Sequence, residues 1–63
     1  MKRWQIVFVD AAKRTVLERT TMHGPKAQVR AWAEGYSSFL GYEVRDALGY
    51  PKRNISFALS EEP

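Results

Sequence analysis

Apolar and polar positions alternate from the start of the chain. Trp4, Ile6 and Phe8 fall on one side at period two, within a run, Arg3 to Val9, dense in aromatic and β-branched residues. This pattern predicts a β-strand. Gln5, Val7 and Val9 occupy the other side, so the strand is largely apolar on both faces. Asp10 suits the first position of a type I turn. Thr15 to Met22 then predicts a second strand, because Thr15, Val16, Thr20 and Thr21 favour extended backbone. Thr15-Val16-Leu17-Glu18 also has the spacing of a helix capping box, but the preceding turn and the β-formers favour a hairpin.

His23-Gly24-Pro25 interrupts the strand, and a proline at the first helical position loses no hydrogen bond. The periodicity then changes. At 100° per residue Val29, Trp32, Ala33, Tyr36, Phe39 and Leu40 fall within about 120° of arc, while Lys26, Arg30, Glu34, Ser37 and Ser38 take much of the remainder. An amphipathic helix follows, ending near Leu40, with Gly41 placed for a left-handed cap. Gly35, at the margin of the apolar arc, offers a close approach to the sheet. In residues 42–48, Tyr42, Val44 and Leu48 alternate as in a strand, while Val44, Ala47 and Leu48 also fit a short helix; the strand is preferred. Gly49 to Asn54 is loop by composition. Ile55, Phe57 and Leu59 mark a last strand, and residues 60–63 read as a frayed acidic tail.

The expected order is ββαββ, or ββααβ if 42–48 is helical. Either is an α+β fold in which one long amphipathic helix packs on one face of a small antiparallel sheet. The expected core is Trp4, Ile6, Phe8, Leu17, Val29, Trp32, Tyr36, Phe39, Leu40, Val44, Ile55, Phe57 and Leu59.

Length sharpens this picture. Sixty-three residues make one domain (1–63) and bury only about 60% of the surface of the unfolded chain. Small domains commonly rely on disulfides, a metal or a partner. The chain has no cysteine, which removes disulfides and thiolate zinc sites. No stretch reaches the roughly 18 apolar residues of a membrane span, and Ile6 to Val9 is too short for a signal-peptide core. A cytoplasmic location with no membrane partner is the expectation. Asn54-Ile55-Ser56 matches a glycosylation pattern, which has no use without secretion.

Candidate chemistry is sparse. His23 is the single histidine and has no second ligand to share a metal. Seven carboxylates are scattered over turns, helix surface and tail, whereas acid–base pairs must converge in a cleft. The serines lack a nucleophile context, and the glycines lack a phosphate-cradling spacing. No enzymatic activity, metal, cofactor or small-molecule substrate is therefore expected.

Two surfaces stand out instead. The net charge is +3 with a pI near 9.6, and Lys13-Arg14 and Lys52-Arg53 both fall in predicted connections. With Tyr50 beside them they suit a nucleic acid, cations for phosphate and a ring for a base. The second surface is the sheet face that a single helix cannot cover. Val7 and Val9 lie there, with Val16 and Met22 expected beside them, and a contiguous apolar patch marks an interaction surface. The order of hairpin, helix and further strand resembles small phage-encoded proteins that bind and inhibit host machinery. The resemblance covers most of the chain but carries no residue motif, so it assigns no functional residue. It implies a regulator that occupies another protein's surface.

Three functions follow as expectations. The first is a protein-binding module of inhibitor or adaptor type, acting through the open face or an edge strand on a larger protein or a second copy. The second is a nucleic-acid binder using Lys13, Arg14, Tyr50, Lys52 and Arg53. The third is a dimeric component of a larger assembly.

Overall fold

The computed structural model describes residues 2–62. The chain forms β1 (Arg3–Asp10), β2 (Thr15–His23), α1 (Lys26–Glu43) and β3 (Ile55–Glu62). The sheet has three strands in the order β2-β1-β3, and both pairings are antiparallel. The fold is α+β as expected, but its order is ββαβ. The most apolar strand takes the centre, where both of its edges have neighbours and one of its faces is covered by the helix.

Cross-strand partners share a face of the sheet. Trp4, Ile6 and Phe8 stand opposite Met22, Thr20 and Glu18 on one side and opposite Glu61, Leu59 and Phe57 on the other. Here lies the core: Trp4, Ile6, Phe8, Val29, Ala33 and Leu40 are buried, with Met22, Tyr36, Ile55, Phe57 and Leu59 packed against them. Trp4 Nε1 donates to the Gly24 carbonyl at 3.2 Å, so its buried indole N–H is satisfied. Helix α1 packs on β3 and β1.

Several expectations change. The register of β1 and β2 shifts after Phe8, so that Glu18 opposes Phe8 but Val16 opposes Val9. Leu17 is the extra residue of this β-bulge and stays half-buried outside the core. Trp32 and Phe39, also expected inside, are 38% and 53% exposed, since α1 leans away from β2 and carries their side of the arc past the covered strip. Val44 caps the helix through its N–H to the Leu40 carbonyl and is likewise outside the core cluster.

Residues 42–48 form neither a strand nor a second helix. Tyr42 and Glu43 complete α1, and Asp46 then organises a turn. Its Oδ1 accepts from the Leu48 and Tyr50 amides at 2.8 and 3.0 Å, and Gly49 supplies the positive φ of 89°. An isolated bridge joins Arg45 to Pro51. Local side-chain bonding of this kind competes with a sheet ladder. At the other end, β3 continues through Ser60, Glu61 and Glu62, where a frayed tail was expected. Glu62 pairs with Arg3, and Glu61 lies 3.8 Å from Lys2; Pro63 lies outside the described residues.

The glycines divide by environment. Gly41 does not end the helix in a left-handed conformation. It is buried in the last helical turns, where a Cβ would stand 2.5 Å from the Lys52 carbonyl oxygen. Gly35 is exposed, and a Cβ there would meet nothing; its expected close approach to the sheet does not occur. Gly35→Ala should therefore stabilise the fold by about 0.5–1 kcal/mol through helix propensity and unfolded-state entropy. Gly41→Ala should destabilise it by about 1–3 kcal/mol, because a backbone carbonyl has to move. Urea denaturation of the two variants gives opposite signs if this reading of the helix is right.

Candidate interaction site

The sheet face away from α1 is built from Gln5, Val7 and Val9 of β1 and their cross-strand partners. Val7 stands between Arg19 and Ala58, and Val9 between Val16 and Ser56. Val7, Val9 and Val16 therefore come together as expected, with Val16 45% exposed. Met22 does not join them. It pairs with Trp4 and packs on the core, because the bulge at Leu17 reverses the alternation between Val16 and the rest of β2. The β3 side of this face carries Ser56, Ala58 and Ser60, which keep it flat.

A second apolar surface lies on the helix side of β2, and sequence reasoning placed its residues in the core. The rings of Trp32 and Tyr36 stack with centroids 5.0 Å apart, and Phe39 stacks on Tyr36 at 5.8 Å. Tyr36 also meets Phe8 edge-to-face at 5.0 Å, which anchors the column to the core. The Glu18 carboxylate beside it holds the Tyr36 phenol above its ordinary 10.0, and burial and the charge of Glu43 act in the same direction. The signal was present in the spacing: Trp32 and Phe39 lie at one margin of the apolar arc, with Tyr36 at its centre. What the sequence does not show is which flank the sheet leaves uncovered.

The basic residues gather at the end of the sheet formed by the β1–β2 turn and the segment before β3. The Ala11 amide donates to the Asn54 carbonyl at 2.8 Å, which draws Lys13-Arg14 and Lys52-Arg53 to the same end. Only part of the set is available to a ligand. Lys52 is committed to Asp10, with Nζ 3.3 Å from Oδ2 and side chains 18% and 5% exposed. Lys13, Arg14, Arg53 and Tyr50 are exposed. Arg14 holds a φ of 53°, a left-handed conformation unusual for a residue with a side chain.

A hollow of about 320 Å³ lies beside this end, against Ser37, Ser38, Gly41 and Arg53. Its serine hydroxyls bond within the helix, since Ser37 and Ser38 both donate to the Glu34 carbonyl. His23 ends β2 and is exposed. Among the described residues no group of histidine and carboxylate side chains gathers to hold a metal ion, and no helix is long and apolar enough to cross a membrane. No protein family model, curated protein or solved structure matches the chain.

Asp10 joins this end together. Burial pushes its carboxyl up, but the Lys52 ammonium and the amides of Lys13 and Ala12 outweigh that, and the pKa falls below the ordinary 3.8. The Tyr50 amide, opposed by burial and helped by the Leu48 and Gly49 amides, does the same for Asp46. A carboxyl with a depressed folded pKa adds stability above its unfolded pKa and loses it as pH falls through the folded value. The protein should be less stable at about pH 3 than at about pH 7. Asp10→Asn should lower stability at neutral pH and flatten that acid limb, as measured by chemical denaturation across the range. An unchanged acid limb would show that Asp10 is not held by Lys52.

Proposed function

We propose that the chain is a non-enzymatic protein-binding module that presents β2 and its surroundings to a larger protein. The observation that carries this reading is the exposure of apolar residues on both sides of one edge strand. Val16, beside Val7 and Val9, lies on one face, and Trp32 and Phe39 lie by the other. The outer edge of β2 pairs with no strand among the described residues.

Shape supports it. The radius of gyration is 12.4 Å, with extents of 43 × 18 × 12 Å, where a compact chain of this length has about 10.6 Å. The accessible surface is 4703 Å², against about 4,200 Å² for a compact monomer of this mass. The size of the open face argues for a larger partner over a second copy seated face to face. Three strands of this length span about 27 by 14 Å, or some 400 Å², about half of what one side of a standard interface contributes. A partner that wraps β2 from the open face to the aromatic flank reaches that area.

The exposed cations Lys13, Arg14 and Arg53 support a second reading, binding of nucleic acid at the turn end of the sheet. With Lys52 occupied, the cluster is smaller than the sequence suggests. That reading requires a mobility shift with DNA or RNA at low salt that weakens steeply as salt rises.

For the leading reading, Val7→Thr with Val9→Thr, and separately Phe39→Ser, are expected to keep the fold. Each should weaken a captured partner's binding by about tenfold or more, as expected for apolar contact residues. The checks are affinity capture with wild-type and variant baits, then titration of the purified partner with hydrogen exchange of β2. A partner that binds all three forms equally, or sedimentation showing a dimer in which hydrogen exchange finds β2 protected, would overturn it.

A further inference from the structure

We infer that the outer edge of β3 accepts an extended, acidic-apolar peptide segment of a partner as a fourth strand. The inference rests on the protein-binding reading but concerns the opposite edge of the sheet. A groove of about 520 Å³ runs between α1 and β3, with Ile55, Phe57 and Leu59 as its floor and Lys26, Arg30 and Glu34 as its wall. Ser56 also lines it, although Ser56 shares the open face with Val9. The outer edge of β3 pairs with no strand among the described residues.

The site has the parts that strand addition needs. Unpaired backbone groups along an eight-residue strand supply a hydrogen-bonding ladder, and side chains at alternate positions supply selectivity. The half-buried floor residues recur at period two, so every second residue of an added strand would lie beside them and against the helix wall. The opposite positions would lie next to Ser56, Ala58 and Ser60, which are small and place little demand on the ligand. Charge selects the ligand class. Lys26 has no carboxylate partner among the described residues, and its ammonium lies 5.7 Å from the Trp4 ring. Arg30 shares only the exposed Glu34, at 3.6 Å, a pairing that water screens. The carboxylates farther along β3, Glu61 and Glu62, are turned to Lys2 and Arg3. The wall thus presents more positive than negative charge above an apolar floor. No described segment of the chain fills the position, since Tyr42 and Glu43 end α1 and the residues after them form a turn instead of a strand.

The test uses the full chain labelled with nitrogen-15 and a short synthetic peptide alternating valine and glutamate. The peptide should shift amide resonances of residues 55–60 and of Lys26 and Arg30. Selective N-methylation of its backbone should weaken it by about tenfold or more, since several ladder hydrogen bonds are lost together. Lys26→Gln with Arg30→Gln, both at exposed positions, should weaken it by a similar factor, with folding verified by the spectrum. A valine–lysine peptide should bind at least about tenfold less well. Shifts confined to β2 and the open face would overturn the β3 assignment and leave the β2 reading standing. Equal binding of the methylated or lysine peptides, or no β3 shift at millimolar peptide, would also overturn it.

Discussion

The width of a helix sets the terms for this molecule. With its side chains an α-helix is about 10 Å across and covers about two strands spaced 4.8 Å apart; the sheet has three. Helix α1 packs on β1 and β3, and the remaining features follow. Phe8 and Ile6, at the middle of the central strand, are fully buried. Their β2 partners on the same face, Glu18 and Thr20, are polar, which suits a strip that the helix does not cover. The aromatic flank of α1 overhangs that strip.

A thin two-layer fold also needs its connections held, and Asp10 does this at the end of the sheet. Its carboxylate accepts from the Ala12 and Lys13 amides, which shapes the β1–β2 turn, and its other oxygen pairs with Lys52. The Lys52 carbonyl lies against Gly41, and its amide donates to the Val44 carbonyl at 2.9 Å. One residue of the connection thereby touches β1, the helix and the segment that follows the helix. Removing a partner from so enclosed a pair leaves an uncompensated charge, which is why the acidic limb of stability traces back to this contact.

The elements that rest on periodicity were legible in the sequence. The two strands of the hairpin, the helix and the last strand all appear, because alternation and the helical arc are properties of contiguous residues. Features that depend on what lies opposite were not. The bulge at Leu17 inserts a residue without any break in composition, and it alone moves Met22 from the open face to the core. Trp32 and Phe39 satisfy the helical pattern equally well inside or outside, and only the lateral position of α1 decides. Residues 42–48 alternate as a strand does, but the Val44 amide closes the helix on the Leu40 carbonyl and the Asp46 carboxylate takes the Leu48 and Tyr50 amides into a turn. Among the candidate site residues, Val7, Val9 and Val16 could be grouped from strand parity near β1. The basic cluster could be located, but not the commitment of Lys52 to Asp10.

The two edges of the sheet are unequal, and this asymmetry bears on specificity. On its helix side β2 offers Glu18, Thr20 and Met22 beneath an aromatic flank, with Val16, Arg19 and Thr21 behind; its surroundings would suit broad contact with a folded surface. On the same side β3 offers Ile55, Phe57 and Leu59 beside a cationic wall, with only Ser56, Ala58 and Ser60 behind; its surroundings favour a narrow extended segment. Strand edges are liabilities unless charge or cover blocks indiscriminate pairing. Here the carboxylate of Glu18 near one edge and the ammonium of Lys26 near the other oppose different ligands. On the helix side an acidic strand would meet the Glu18 carboxylate at β2 and the Lys26 ammonium at β3, while Arg19 lies on the open face of β2. If both proposed surfaces bind partners, it is this difference in charge on the helix side that would direct an acidic extended segment to β3 rather than to β2.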